Sequence, residues 1–195
     1  MSQRQALIKR KTRETEIELE LKLDEKGVWQ GTSGIGFFDH LLELFAKHSG
    51  FSLKLQAHGD LQVDFHHTVE DIGICLGQAI REALGEKKGI NRYASLILPM
   101  DEVLVLCALD LSGRPGCYCS FSFQTPLIGD FAAELLEEFL RAFVNEGKFT
   151  LHLRQLSAGN SHHLAEALIK ALARSLRAAV MESGMEVPSS KGVLS

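Results

Sequence analysis

The stretch Asp64-Phe65-His66-His67-Thr68-Val69-Glu70-Asp71 is echoed 96 residues later by Asn160-Ser161-His162-His163-Leu164-Ala165-Glu166. The strand-like segment before it, Phe51-Ser52-Leu53-Lys54-Leu55, is echoed by Phe149-Thr150-Leu151-His152-Leu153 at an offset of 98. A period of about 97 residues is too long for a solenoid repeat and describes two fused copies of one small unit. The expected fold class is therefore α+β, an internal duplication of a sheet-plus-two-helix unit with pseudo-twofold symmetry. Residues 1–88 form one half-repeat and residues 89–195 the other.

Within the first half, Thr15 to Leu23 alternates polar and apolar and places Ile17, Leu19, Leu21 and Leu23 on one face of a half-buried strand. After a short strand and the glycines Gly31, Gly34 and Gly36, the residues Phe38, Leu41, Leu42 and Phe45 follow helical spacing up to a stop at Ser49-Gly50. Phe51–Leu55 and Leu61–Phe65 read as two strands, and the first His-His doublet opens a helix with the stripe Val69, Ile72, Leu76 and Ile80. The second half repeats this order. Strands are expected at Ala94–Leu98, Val103–Leu111, Cys117–Phe123 and Phe149–Leu153. Helices are expected at Phe131–Val144 and from the second doublet onward, the latter with Leu164, Leu168, Leu172 and Leu176 inward.

A hydrophobic content of 45% and a net charge of −4 describe a soluble chain without the clustered basic surface that nucleic-acid binding requires. No apolar h-region follows the basic N-terminus, and no apolar run approaches the roughly 18 residues of a membrane span. The expectation is a cytoplasmic protein with reduced thiols at Cys75, Cys107, Cys117 and Cys119 and with no membrane partner.

Each doublet carries its own chemistry. On a helix the first histidine and the glutamate lie four residues apart and the second histidine and the glutamate three, so the carboxylate stands beside both imidazoles. The adjacent histidines point about 100° apart, which suits two different metal ions better than one. His66, His67, Glu70, His162, His163 and Glu166 are thus candidate ligands, and their nitrogen and oxygen donors suit Mn, Fe or Zn. The repeat also sets Glu138 opposite His40, so ligation by one makes the other a candidate.

Several further segments join these: Phe38-Asp39-His40-Leu41-Leu42, His66 to Gly73, Asp110-Leu111-Ser112-Gly113-Arg114-Pro115, His162-His163 with Glu166 and Lys170, and Pro188 to Leu194. Together the chain resembles the imidazoleglycerol-phosphate dehydratases. The resemblance implies the dehydratase step of histidine biosynthesis, two Mn(II) ions per active site, and a homo-oligomer of 24 chains with ligands drawn from neighbouring subunits. It implies one ion on His40, His67, Glu70 and His163, and another on His66, His162, Glu166 and a ligand at position 138. There this chain has Glu138 in place of the histidine of other members, with His152 as the less favoured substitute. It also implies phosphate binding by Arg92, Arg114, Lys170, Ser189, Ser190 and Lys191, and contact of Glu14 with the substrate.

The implied substrate is a small phosphorylated imidazole, imidazole glycerol phosphate, which loses water to give imidazole acetol phosphate through an imidazolate and a diazafulvene. Glu14 and Glu166 are the expected catalytic proton carriers. A dimetal phosphoesterase would release phosphate instead, and a noncatalytic metal-binding protein would be indifferent to Glu14→Gln.

Overall fold

A computed structural model describes residues 4–189; Ser190 and Lys191, expected at the phosphate, lie outside the described residues. The first sheet contains β1 (Gln5–Lys11), β2 (Thr15–Lys22), β3 (Trp29–Thr32) and β4 (Ser52–Gly59). Its helices are α1 (Gly36–Ser49) and α2 (His66–Leu84). The second half contributes β5 (Tyr93–Met100), β6 (Val103–Asp110), β7 (Gly116–Ser120) and β10 (Thr150–Ser157) to its sheet. A small hairpin of β8 (Leu127–Ile128) and β9 (Phe131–Ala132) precedes α3 (Leu135–Gly147), and α4 (Ser161–Val180) follows β10.

The strand orders β1-β2-β4-β3 and β5-β6-β10-β7 are the same topology, so the duplication expected from the sequence is present in the backbone. Trp29 pairs with Leu53 and Cys117 with Leu151, so the halves are offset by 88 residues in the early strands, by 98 at the first helix and the strand after it, and by 96 at the doublet helices. The extra ten residues are accounted for by the segment that carries the β8–β9 hairpin.

The helices lie between the sheets and pack across the halves, α2 against α3 and α1 against α4, while α2 covers β1 and β2 and α4 covers β5 and β6. Burial on two sides explains why α4 has buried residues around much of its circumference, including Leu164, Ala165, Leu168, Ile169, Leu172 and Ala173. Near the pseudo-twofold axis Phe45 meets its own repeat partner, Phe143, edge to face at 6.1 Å. Phe51 and Phe149 flank them at 6.2 and 5.2 Å in matching T-shaped contacts. Each of these rings is fully buried, which stabilises the fold by about 1.5–3 kcal/mol per side chain, and edge-to-face geometry adds to this. The α2–α3 crossing is closest at Gly73 and Gly77, where a Cβ on Gly77 would stand 2.5 Å from the Phe143 carbonyl oxygen.

One element has no counterpart among the expected strands, and three sequence expectations are corrected. The basic N-terminus is a strand, β1, because Ala6 and Ile8 face the core while Lys9 and Lys11 lie opposite Glu18 and Glu16 of β2, at 2.8 and 2.6 Å. Leu61–Phe65 is a turn and not a strand: β4 already has β2 on one side and β3 on the other, and the Val63 amide bonds back to the Asp60 carbonyl. The strand expected to reach Phe123 ends at Ser120. The helix expected from Phe131 begins at Leu135, since Phe131 and Ala132 pair with Ile128 and Leu127. The expected end of α1 is as read, with Gly50 in the left-handed region at φ 74° and its amide bonded to the Ala46 carbonyl.

Candidate active site

Both doublets occupy the first turn of their helices, and the same device starts each. Asp64 Oδ1 accepts from the His66 amide at 2.8 Å, and Asn160 Oδ1 accepts from the His162 and His163 amides at 2.8 and 3.3 Å. The doublet geometry is reproduced closely. Ring centroids are 6.2 Å apart at 88° in the first and 6.3 Å apart at 87° in the second, so the neighbouring imidazoles diverge as a helical start requires. The i,i+4 partners face one another, His66 Nε2 at 3.8 Å from Glu70 and His162 Nε2 at 3.0 Å from Glu166.

Helix α1 brings His40 to the second doublet. His40 Nε2 lies 2.6 Å from Glu166 Oε1, and Phe37 beside it packs on His162 with centroids 5.1 Å apart. The other oxygen of Glu166 accepts from Lys170 Nζ at 2.5 Å. Burial alone would raise the Glu166 pKa, but the hydrogen bonds from Lys170, His40 and His162 prevail and bring it down to about 2. The carboxylate is therefore an anion at neutral pH. The donor atoms of His40, His162 and Glu166 all lie within 4.8 Å of one another, a spread that one cation with bonds of roughly 2 Å can span. Imidazole and carboxylate donors of this kind fit a divalent first-row ion.

The first doublet meets a different set. His67 Nδ1 is 3.0 Å from Asp60, and its Nε2 is 3.8 Å from Glu14 in the β1–β2 turn. The hydrogen bond to Asp60 raises the His67 pKa. That turn is anchored to α2 from below: Asp71 is buried, pairs with Arg10 at 2.9 Å and accepts from Thr15 Oγ1 at 2.5 Å. The anchor holds Glu14 beside the doublet.

The expected phosphate cations divide in two. Arg92 forks onto Asp110 at 2.7 and 3.2 Å and donates its remaining branch to the Pro188 carbonyl at 2.9 Å; Arg114, largely exposed, lies 4.0 Å from the same Asp110. Lys170 is engaged at Glu166, on the other group. The chain at 181–189 runs back along Gly89–Arg92 through paired backbone hydrogen bonds, and this carries Ser189 toward Arg92. Glu138 is half-buried on the first turn of α3, as the repeat of His40 on α1 leads one to expect. Its alternative, His152, stacks on Tyr118 at 4.7 Å on β10. The groups formed within one chain cut across the two ligand sets that the resemblance implies, since His40 stands with His162 and Glu166 and not with His67 and His163.

Sequence reasoning missed Asp60 and Glu102, the carboxylates that hold Nδ1 of His67 and His163. Asp60 lies between two segments that read as strands and carries no spacing signal of its own. Glu102 carries a signal in its equivalence to Glu14, but only once the 88-residue strand offset is known. Among the described residues no helix is long and apolar enough to cross a membrane.

The sequence model described as "IGPD: Imidazoleglycerol-phosphate dehydratase" matches residues 33–176. The imidazoleglycerol-phosphate dehydratase of Moorella thermoacetica is 59% identical over 196 residues, covering 98% of this chain and 99% of its own length. That of Pelotomaculum thermopropionicum is 52% identical with both chains covered in full. The crystal structure of the Staphylococcus aureus dehydratase superimposes with a TM-score of 0.84 at 36% identity, over 92% of this chain and 99% of that one. The Pyrococcus furiosus enzyme, solved in complex with (S)-C348, gives 0.82 at 36% identity over 96% and 100%. With a family model over residues 33–176, relatives above 50% identity over nearly the whole length and a superimposable fold, the chain belongs to the imidazoleglycerol-phosphate dehydratase family, the hydro-lyases of histidine biosynthesis.

Proposed function

We propose that this chain carries out the family's dehydration with two Mn(II) ions per site, in sites completed between subunits of a 24-chain cytoplasmic particle. The observation that supports this most directly is the His40–His162–Glu166 group with Lys170 behind it. Within the described residues that group offers three donors to one cation, fewer than six-coordinate Mn(II) takes, and donors from neighbouring copies would supply the remainder. The ligand residues in this reading are His40, His66, His67, Glu70, Glu138, His162, His163 and Glu166. The half-repeats 1–88 and 89–195 act as one unit, since their helices pack across the boundary.

A bound divalent cation lowers the pKa of an imidazole it coordinates, which is the activation this substrate needs. The chain's own residues do the rest. Arg92, Arg114 and Lys170, with Ser189, Ser190 and Lys191 from the tail, bind the phosphate, where forked guanidinium and ammonium groups meet its oxygens. Anchoring that remote group orients the C2 hydrogen and the C3 hydroxyl. Glu14 and Glu166 move the protons: one takes the C2 proton, and the departing hydroxide is protonated to water, leaving an enol that becomes the ketone. Lys170 keeps Glu166 ionised and ready to accept.

The test is conversion of imidazole glycerol phosphate by protein stripped with chelator and reloaded with Mn(II), with ketone and inorganic phosphate measured in parallel. Ketone that appears only after reloading is the expected result; ketone from fully stripped protein rejects the metal reading.

A further inference from the structure

The two half-repeats place a glutamate at the same point of the same hairpin. Thr12 and Thr15 pair across the β1–β2 turn as Met100 and Val103 pair across the β5–β6 turn, so Arg13-Glu14 and Asp101-Glu102 are equivalent two-residue turns at the 88-residue offset. The two glutamates nevertheless meet opposite nitrogens of their histidines. Glu14 Oε1 lies 3.8 Å from Nε2 of His67, whereas Glu102 lies 3.2 Å from Nδ1 of His163. In the first half Nδ1 is already taken by Asp60, at 3.0 Å from the loop between β4 and α2. The second half has only Ala158, Gly159 and Asn160 between β10 and α4, with no acid among them.

An ionised carboxylate can only accept, so the Asp60 and Glu102 contacts place the hydrogen on Nδ1 and leave Nε2 of the neutral ring with its bare lone pair. Glu102 is held in this pose by a second bond, since its Oε1 accepts from the Asn160 amide at 2.6 Å at the cap of α4. Asp101 is 3.7 Å from the same Nδ1 and largely exposed, beyond hydrogen-bond reach.

We infer that Asp60 and Glu102 are positioning residues that hold Nδ1–H of His67 and His163 and so direct each Nε2 at a divalent cation, and that Asp60 thereby frees Glu14 for the substrate. This rests on the metal reading above. The duplication supplied two equivalent glutamates. Asp60 takes the orienting task in the first half, and Glu102 takes it in the second.

The test is a pair of double-mutant cycles on full-length, metal-stripped protein, with Mn(II) affinity read from the free-ion electron paramagnetic resonance signal. Glu102→Gln keeps the oxygen for the Asn160 amide but loses the ionic acceptor. It is expected to weaken one class of bound Mn(II) about 10–100-fold, and to have no further effect in a His163→Ala background. Asp60→Asn with His67→Ala is expected to behave in the same way and decides the matter if Glu102→Gln does not fold. Affinity within twofold of wild type, or an equal loss with and without the histidine, overturns the inference while leaving the metal reading intact. Wild-type protein that binds no Mn(II) overturns both.

Discussion

At Glu166 three donors converge on one nearly buried carboxylate, and the balance of burial against hydrogen bonding has a measurable sign. Its pKa is lowered from 4.5 to about 2 in the fold, so the group stabilises the native state above the ordinary glutamate range and that stability is lost as pH falls from about 4.5 toward 2. In metal-stripped protein, Glu166→Gln should remove most of a slope worth about 3 kcal/mol over that interval, as followed by denaturant unfolding at a series of pH values. An unchanged slope would mean that Glu166 is not the titrating group. Glu14 is a contrasting case, exposed at the tip of a turn with its carboxylate 3.8 Å from His67. Glu14→Gln should therefore leave melting temperature and Mn(II) content as they are while kcat falls about 10²–10⁴-fold, the range of a lost general acid or base. Loss of metal together with activity would reassign Glu14 to the ligands.

The elements were legible to the extent that their signals were local. Helices α1, α2 and α4 follow from apolar spacing together with Gly50, Asp64 and Asn160 at their ends. Strand β1 was not legible, because its inward Ala6 and Ile8 are outnumbered by basic residues whose partners stand on β2. The doublets announced their candidate donors directly. Asp60 and Glu102 did not, because their role depends on a turn and on a hairpin whose offset is masked by the ten extra residues that precede α3. Helix–helix distance is likewise absent from periodicity, although Gly73 and Gly77 set it. Gly77→Ala gains helix propensity of about 1 kcal/mol but drives a methyl to within 2.5 Å of the Phe143 carbonyl oxygen and 2.7 Å of the Gly147 nitrogen, both backbone atoms. A net destabilisation of about 2 kcal/mol is expected from chemical denaturation, and a stabilised variant would show that α2 and α3 have room to part.

Across the whole molecule, sites shared between subunits would tie assembly to metal. Chelation at neutral pH should shrink the particle seen by light scattering, and Mn(II) should restore it; a particle of constant size in chelator would separate assembly from ligation. The tail is tied in a comparable way, by Arg92 to the Pro188 carbonyl and by Gly89 to Glu186. Arg92→Lys keeps the charge but cannot both fork onto Asp110 and reach the tail, so KM should rise about 10-fold or more and proteolysis beyond Met181 should accelerate. Protection equal to wild type would exclude that tether. The pairing of α2 with α3 and of α1 with α4 reaches further back in time. One side of each half's helix layer is covered by its own sheet and the other by the helices of the other half, so a chain of half this length would expose that second side unless a second copy supplied the missing layer. A half-length ancestor with this packing would have had to pair with a second copy of itself. Residues 89–195 made alone should still seek a twin.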